Sequence, residues 1–419
     1  MATRLNYILP VARILLRDTF TRLTRGGLAS TIPAPGEGQP WLIVAGTGRS
    51  GTSAVARVLH ESGFAMGTTF ADASEFNPLG FYEDLDAAWT NGAIMAELGS
   101  EDLLLKQKPP WRSLILVAGE HHAEEMRRAA APATPGWKHP LFSYTLETWM
   151  RVLGRRPKVV VCLRGPEAYL HSATAIYGLV DREMTERAWA AYLERALTVI
   201  EDYKLEALCI EYDDLVADPQ ATVAKLSRFI GRELDASNVE PSLRSHVYRI
   251  PKRWRALYAR VAALGGNSTP SRAIAPGPSD ASAVARYLDA VRAIEDRVLE
   301  AKRTWERSVD MASIASLRNG ASDAVRAACT AYDGALVELR NELMSFTPPD
   351  DLEEHFELLR NYLDVERLPE VLIARACEDA QPDGELLGRA HTVWREHCAP
   401  QAWSRASRAR ERALANLPA

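Results

Sequence analysis

The run Gly46-Thr-Gly-Arg-Ser-Gly-Thr-Ser53 has the residue types and spacing of a loop that binds an anion. It follows a short apolar segment, Trp41–Ala45, and precedes a helical pattern, Ala54–His60. A glycine loop between a strand and a helix start directs backbone N–H groups at one point, where the helix dipole also favours negative charge. Thr52 stands where a nucleoside triphosphatase carries its lysine, and Arg49 is the only cation in the run. The loop therefore predicts binding of a phosphate-like group other than those of ATP and GTP.

A second candidate binding position is Arg164. The apolar run Val159–Leu163 ends at this arginine, Pro166 is suited to start a helix, and Ser172 lies about two turns into that helix. Ligands of open α/β sheets bind at the carboxyl ends of the strands. We therefore expect Arg164 at the ligand-binding edge of the sheet.

Further segments carry polar residues in suggestive places. The segment Ile210–Pro219 predicts a strand end followed by a helix, with Asp218 as the N-cap residue and a proline in the first helical turn. Two more segments, Glu75–Glu83 and Trp137–Pro140, contain the carboxylate of Glu83, the lysine Lys138 and the histidine His139. These three types of side chain serve in acid–base and electrostatic catalysis.

Four segments together resemble sulfotransferases that use 3′-phosphoadenosine-5′-phosphosulfate (PAPS). They are the loop, the Arg164 segment, the segment Ile210–Pro219 with Tyr212, and the segment Glu75–Glu83, which has the pattern Asn-Pro-x-Gly-aromatic-x-Glu. The resemblance covers roughly Trp41 to Gly231, about half of the chain. Arg49 stands where cytosolic members usually have lysine, whereas many bacterial members also carry Arg-Ser-Gly-Thr. The resemblance implies that the following residues bind the donor: Gly48, Arg49, Ser50, Gly51, Thr52, Ser53, Arg164, Ser172 and Tyr212.

The resemblance also implies catalytic roles. Transfer of a sulfuryl group to an alcohol needs a base for the hydroxyl proton, and Glu83 and His139 are both candidates. Lys138 would stabilise the oxygen that leaves sulfur, and Arg49 would stabilise charge on the leaving phosphate. One departure is that the family's Arg-Lys-Gly loop is missing. Arg249, Lys252, Arg253 and Arg255 lie at about that place, where a solvated helix face is the favoured interpretation.

Composition sets the limits on partners. The chain has 419 residues, 47% of them hydrophobic, and a net charge of −5, so its overall charge gives no reason to expect nucleic acid as a partner. The five cysteines form no C-x-x-C pair, which favours neither a zinc site nor a disulfide framework and fits a reducing cytoplasm. Leu5–Leu23 mixes apolar residues with arginines; we interpret it as a helix packed on the domain, with contact to a membrane surface as the alternative.

The segment pattern predicts a doubly wound α/β fold with a mostly parallel sheet, followed by a helical region. Strand-like runs are Trp41–Thr47, Gly136–His139, Lys158–Arg164 and Glu206–Tyr212; helical runs are Ser53–Ser62, Pro166–Tyr177, Glu183–Lys204 and Pro219–Ile230. Past a Gly/Pro/Ser-rich stretch, more helical patterns follow: Val284–Val298, Ser322–Met344, Leu352–Leu363, Glu370–Ala380 and Glu385–His397. The predicted divisions are 1–40 (helix and linker), 41–262 (nucleotide-binding domain) and 280–419 (helical region).

These observations predict a PAPS-dependent sulfotransferase that needs no metal, located in the cytoplasm or on the membrane periphery. The acceptor would be a carbohydrate, a glycolipid or another hydroxylated small molecule. One alternative is a P-loop kinase using ATP, against which the missing lysine argues. Another is a non-catalytic nucleotide-binding or assembly module, in which case Glu83 and His139 should point away from the loop. Apolar helix faces near Val284–Leu299 would suit a homodimer.

Overall fold

The computed structural model describes two compact units. One consists of Met1–Ile250 with Trp254–Ala273, and the other of Pro251–Arg253 with Ile274–Ala419. The described residues are 2–24, 27–33, 41–70, 73, 77, 79–100, 109–131, 135–177, 182–240, 250–266, 281–309, 323–367, 373–374 and 399–415.

The first unit is built on a parallel sheet. Its strands are β1 (Leu42–Gly46), β2 (Gly136–Lys138), β3 (Lys158–Leu163) and β4 (Ala207–Glu211), in the spatial order β2-β1-β3-β4. All three pairings are parallel. The parallel sheet confirms the predicted fold class, and the carboxyl ends of the strands meet at one edge as a parallel sheet requires.

Helices cover both faces of this sheet. Alternate strand residues enter separate cores: Ile43, Val159 and Val161 pack with Trp149 on one face, whereas Leu42, Val44, Val160 and Cys162 pack with Val58 on the other. Side chains on both faces of each strand are therefore buried, which explains the continuous apolar runs in the sequence. The sheet is doubly wound, as predicted.

The first-unit helices are α1 (Ala2–Thr24), α2 (Thr52–Glu61), α3 (Leu85–Glu97), α4 (Arg112–His121), α5 (Ala123–Ala130), α6 (Phe142–Leu153), α7 (Pro166–Tyr177), α8 (Arg182–Tyr203), α9 (Tyr212–Ala217) and α10 (Pro219–Ile230), and α11 (Lys252–Ala263) belongs to this unit from Trp254 onwards. The sequence patterns described above predict no helix in the region of α3 to α6. Asp218 is the N-cap of α10, as predicted, and accepts a hydrogen bond from the Ala221 N–H at 2.9 Å. The strand β4 ends at Glu211, so Tyr212 begins α9 rather than ending a strand.

The N-terminal helix α1 packs on α4, as the favoured interpretation predicted. Ile14 is buried against Leu116 and Val117, and Tyr7 and Val11 pack at the edge of this cluster. Asp18 accepts hydrogen bonds from both terminal nitrogens of Arg151, at 3.1 and 2.6 Å.

The second unit is helical. Its described helices are α12 (Ala281–Ser308), α13 (Asp323–Ser345), α14 (Glu353–Glu366) and α15 (Ala399–Ala415). Most of the predicted helices Glu370–Ala380 and Glu385–His397 lies outside the described residues. The apolar stripe of α12 that we expected to suit a homodimer is buried inside this unit: Val284, Val291, Ile294 and Val298 pack with Leu336 and Leu359. The expectation of an exposed dimer face there was wrong, because α13 and α14 supply the partners for that stripe.

Candidate active site

Two glycines fix the path of the loop between β1 and α2. Gly46 has φ 133°, and a Cβ there would lie 2.5 Å from the Cys162 carbonyl oxygen on β3. Gly51 has φ 91°, and a Cβ there would lie 2.6 Å from Cδ2 of Tyr212. Only glycine adopts such a backbone without strain and leaves this space free. The loop therefore lies close to the carboxyl edge of the sheet and directly against Tyr212.

The N-terminus of α2 is open to a cleft. Its N-cap is Gly51, which offers no side-chain hydrogen bond to the first turn. Thr52, Ser53 and Ala54 of that turn line the cleft. Uncapped N–H groups and the helix dipole together favour an anion at this position.

Arg49 is held in a left-handed conformation with φ 64°, uncommon for a residue with a side chain. Its carbonyl oxygen accepts a hydrogen bond from Nη1 of Arg164 at 3.0 Å. Its own Nε donates to Oγ of Ser172 at 3.2 Å. The structure thus brings three of the predicted donor-binding residues into one hydrogen-bonded chain.

Arg164 follows β3 directly and is almost fully buried. Its guanidinium lies over the ring of Tyr212, 4.3 Å from the ring centre, and its carbonyl oxygen accepts a hydrogen bond from the indole of Trp189 at 2.9 Å. Stacking on an aromatic ring fixes the plane of the guanidinium and hence the direction of its donors. The predicted residues Arg164 and Tyr212 therefore form one platform beneath the loop.

The loop's other predicted residues divide by role. The Ser50 hydroxyl donates to the Thr47 carbonyl oxygen at 2.6 Å and stabilises the turn itself. Thr52 and Ser53 line the cleft, whereas Gly48 and Ser50 are not among its lining residues. We infer that Ser50 acts through the shape of the loop.

Replacing Gly51 with alanine is expected to destabilise the protein by about 2–4 kcal/mol, because the new Cβ combines left-handed strain with the clash against Tyr212. Gly231 gives a matched control, since it has φ 73° but no atom within 4 Å of its ideal Cβ. Gly231→Ala should cost only about 1 kcal/mol, the strain alone. Chemical denaturation of the two variants measures the difference. Equal losses would show that Tyr212 does not press on the loop.

A second group of predicted residues meets beside the loop. Nζ of Lys138 lies 2.5 Å from Oε1 of Glu83, 3.0 Å from Oγ of Ser53 and 3.2 Å from the carbonyl oxygen of Phe81. The Lys138 side chain is 2% exposed and that of Glu83 17%. The ammonium thus joins the candidate base directly to a residue of the anion loop.

Ser53 is oriented by these contacts. Its Oγ accepts from Lys138 Nζ and from Asn77 Nδ2, the latter at 3.4 Å. The same Asn77 amide donates to the Gly80 carbonyl oxygen at 2.7 Å. Because both acceptor positions of the hydroxyl are occupied, its proton is left to be donated to another group. Ser53 is thereby suited to donate a hydrogen bond to an anion in the cleft.

Glu83 is ionised at neutral pH. Burial raises the pKa of its carboxyl group, but the charge of the Lys138 ammonium and its hydrogen bond to the carboxylate lower it by more, so the net pKa lies below the usual value. An ionised carboxylate can accept a proton, which is the first requirement of a general base.

His139 has a different state. Burial lowers its pKa to about 4, against an opposing effect of Glu83, so the ring is neutral at pH 7. Its Nδ1 accepts a hydrogen bond from the Leu141 N–H at 3.3 Å, and its Nε2 lies 3.8 Å from Oε2 of Glu83. The hydrogen-bond geometry assigns the neutral ring's proton to Nε2. Neither ring nitrogen then has a lone pair free to accept a proton from a substrate.

This neutral state predicts a pH dependence of stability. The pKa of His139 in the folded protein lies below the unfolded value of about 6.5. Between pH 6.5 and pH 4 the unfolded chain therefore binds more protons than the folded protein does. The free energy of unfolding is therefore at its full value above pH 6.5 and decreases as the pH falls below it. Between pH 7 and 5 the wild type should lose about 1–2 kcal/mol more than His139→Gln. Glu83 stays ionised in that window. Denaturant titrations at both pH values measure the difference, and parallel curves would show that His139 titrates as in the unfolded chain.

Further residues line the cleft that are not among the predicted site residues. Arg57, Asn77, Asn238 and Glu240 line it together with the loop. Arg57 lies one helical turn after Ser53, and Asn77 belongs to the Asn-Pro-x-Gly segment. Both could therefore have been predicted from the sequence as residues of the cleft. Glu240 could not, because its contact with Arg57 Nη1 at 3.2 Å is formed across 183 residues.

The structure gives no test of the basic residues near the place of the missing Arg-Lys-Gly loop, for which we favoured a solvated helix face. Arg249 lies outside the described residues, and Lys252 and Arg253 fall in the second unit. Arg255 donates from Nε to the Ile250 carbonyl oxygen at 3.2 Å within its own segment.

Comparison with known proteins agrees with the resemblance found in the sequence. Residues 40–236 match the sulfotransferase family. Among solved structures, the sulfotransferase domain from the curacin biosynthetic pathway matches with 16% identity and a TM-score of 0.30, covering 50% of this chain and 80% of that domain. The sulfotransferase domain from the Synechococcus PCC 7002 olefin synthase matches with 20% identity and a TM-score of 0.32, covering 51% and 82%. A comparison with curated protein sequences gave no significant match.

Proposed function

We propose that this chain, whose residues 40–236 match the sulfotransferase family, transfers a sulfuryl group from PAPS to a hydroxyl group of a small acceptor. The observation that carries the proposal is the position of Lys138, which contacts the carboxylate of Glu83 and the hydroxyl of Ser53 at the same time. A candidate base and an anion-binding loop are thereby held next to each other. A non-catalytic nucleotide-binding module gives no reason for that arrangement.

The donor would bind along the loop and the sheet edge. The uncapped N-terminus of α2, Ser53 and Arg49 suit the 5′-phosphosulfate, because all of them offer positive charge or hydrogen-bond donors to one place. Arg164 and Ser172 would hold the 3′-phosphate, and Tyr212 supports the guanidinium of Arg164. Of the charged residues that line the cleft among those described, Arg49, Arg57 and Arg164 outnumber Glu240. This excess of positive charge fits a polyanionic donor.

In the reaction, the acceptor hydroxyl oxygen would attack sulfur in line with the bond to the 5′-phosphate. The new O–S bond forms as the S–O bond to phosphate breaks, and the phosphate leaves with the electron pair as 3′-phosphoadenosine-5′-phosphate. Glu83 accepts the hydroxyl proton. Arg49 and Lys138 stabilise the charge that develops on the leaving oxygen. His139, neutral and hydrogen-bonded to Leu141, would orient the Glu83 carboxylate rather than act as the base.

The acceptor would be a carbohydrate, a glycolipid or another hydroxylated molecule. The test is incubation of the full chain with PAPS and a panel of such acceptors, with release of the 3′,5′-bisphosphate as the readout. Parallel reactions with ATP and Mg²⁺ test for a kinase. Acceptor-dependent release of bisphosphate from PAPS supports the proposal, whereas phosphoryl transfer from ATP would contradict it.

A further inference from the structure

The helix α1 has two apolar faces, one of which packs on α4. Tyr7, Val11 and Ile14 face the α4 helix of the same unit. On the opposite side of α1, Leu9, Leu16 and Phe20 are 79%, 73% and 64% exposed. Their spacing of seven and four residues places them on one stripe of the helix. Isolated exposed apolar residues are ordinary, but a stripe of three large ones on one helix marks an interaction surface.

The charges beside this stripe are basic. Arg13 falls between Leu9 and Leu16 on the same face, and Arg17 lies at its edge; both are exposed. The single acidic residue among the first thirty residues is Asp18. Its carboxylate pairs with Arg151 on the opposite face and also lies 3.5 Å from Nε of Arg17. With two arginines beside the stripe and one shared carboxylate, the outward face combines large apolar side chains with an excess of positive charge.

From this combination we infer that the outward face of α1 binds to the surface of an anionic lipid bilayer. Leucine and phenylalanine side chains enter the boundary between headgroups and acyl chains, while arginines on the same helix contact the lipid phosphates. None of the helices in the described part of the chain combines the length and hydropathy of a transmembrane span. The association would therefore be in the plane of the interface. The inference does not depend on the proposed enzymatic function.

The contacts of the inner face allow this geometry in a folded protein. Ile14 is buried and Asp18 is anchored to Arg151 by two hydrogen bonds. The helix can thus rest on the membrane without leaving the unit on which it is packed. A second copy of the chain would also cover the apolar stripe, but it would have to bring complementary acidic groups to Arg13 and Arg17.

The test is co-sedimentation of the full chain with vesicles, either of phosphatidylcholine alone or of phosphatidylcholine and phosphatidylglycerol in equal parts. We expect binding to the anionic vesicles that weakens with added salt. Leu16→Glu/Phe20→Glu should weaken it at least about tenfold, and Arg13→Glu about fivefold or more. Trp89→Glu is the matched control, because Trp89 is 67% exposed on α3 of the same unit; its binding should equal that of the wild type.

Three results would overturn the inference. One is the absence of binding to anionic vesicles. Another is equal binding to both kinds of vesicle with no effect of Arg13→Glu, since the charges would then be irrelevant. The third is a wild-type dimer in light scattering that Leu16→Glu/Phe20→Glu dissociates while vesicle binding is absent, which would make the face an interface between copies. Circular dichroism of each variant confirms that loss of binding does not come from unfolding.

Discussion

Replacing Glu83 with glutamine is expected to lower kcat of sulfuryl transfer by about 10²–10⁴-fold, the usual range for removal of a general base. The amide keeps the size of the carboxylate and can still accept the hydrogen bond from Lys138, but it cannot take a proton. Binding of the 3′,5′-bisphosphate should change little, because Glu83 reaches the loop only through Lys138. The measurement is steady-state kinetics with PAPS and a working acceptor, together with calorimetric binding of the bisphosphate.

Glu61 supplies the matched control for this substitution. It is a nearby carboxylate, hydrogen-bonded to the hydroxyl of Tyr82 at 2.8 Å, outside the cluster of Lys138 and Glu83. Glu61→Gln should keep kcat within about threefold of the wild type, as surface substitutions away from the chemistry do. His139→Gln gives the opposing test. A greater loss of kcat in His139→Gln than in Glu83→Gln would contradict the assignment of Glu83 as the base.

Replacing Arg164 with alanine is expected to weaken binding of the bisphosphate about 10- to 100-fold, since a buried guanidinium makes charge-assisted hydrogen bonds to phosphate. Part of that loss would be indirect, because Arg164 also supports the loop through the Arg49 carbonyl oxygen. Comparing 3′-phosphoadenosine-5′-phosphosulfate with adenosine-5′-phosphosulfate, which lacks the 3′-phosphate, separates the two effects. The larger loss should fall on the ligand that carries the 3′-phosphate.

Arg57→Ala is the control for charge in the cleft. Arg57 also lines it but is paired with Glu240, so its removal should affect both ligands to the same small extent. Equal losses for both ligands in Arg164→Ala would mean that Arg164 only supports the loop, and the 3′-phosphate would have to bind elsewhere.

The sequence was a good guide to the sheet and the loop because both are local patterns. A glycine loop between an apolar strand and a helix has few structural interpretations, and the described structure places Arg49, Arg164, Ser172 and Tyr212 together as expected. The helices α3 to α6 were missed. In α3 and α4 the helical periodicity of apolar residues is weak, whereas in α5 and α6 it is clear and could have been used to predict both helices.

The protonation states of Glu83 and His139 could not be predicted from the sequence. Lys138 and Glu83 form an ion pair although they are 55 residues apart in the sequence, so no local sequence pattern predicts it. Whether His139 or Glu83 is the better base depends on the hydrogen bond from the Leu141 N–H and on burial, both of which are properties of the folded chain. The exposed face of α1 could be identified only from the structure, which shows the side of this helix that packs on α4.

The central claim is that the loop and Arg164 form a site for the sulfuryl donor, and calorimetry on the wild-type chain tests it most directly. The protein would be titrated with 3′-phosphoadenosine-5′-phosphate and, separately, with ATP and Mg²⁺. Tight binding of the bisphosphate and weak binding of ATP is the predicted result, because Thr52 replaces the lysine that nucleoside triphosphatases use. Preference for ATP and Mg²⁺ would contradict the assignment of the cleft to a sulfuryl donor.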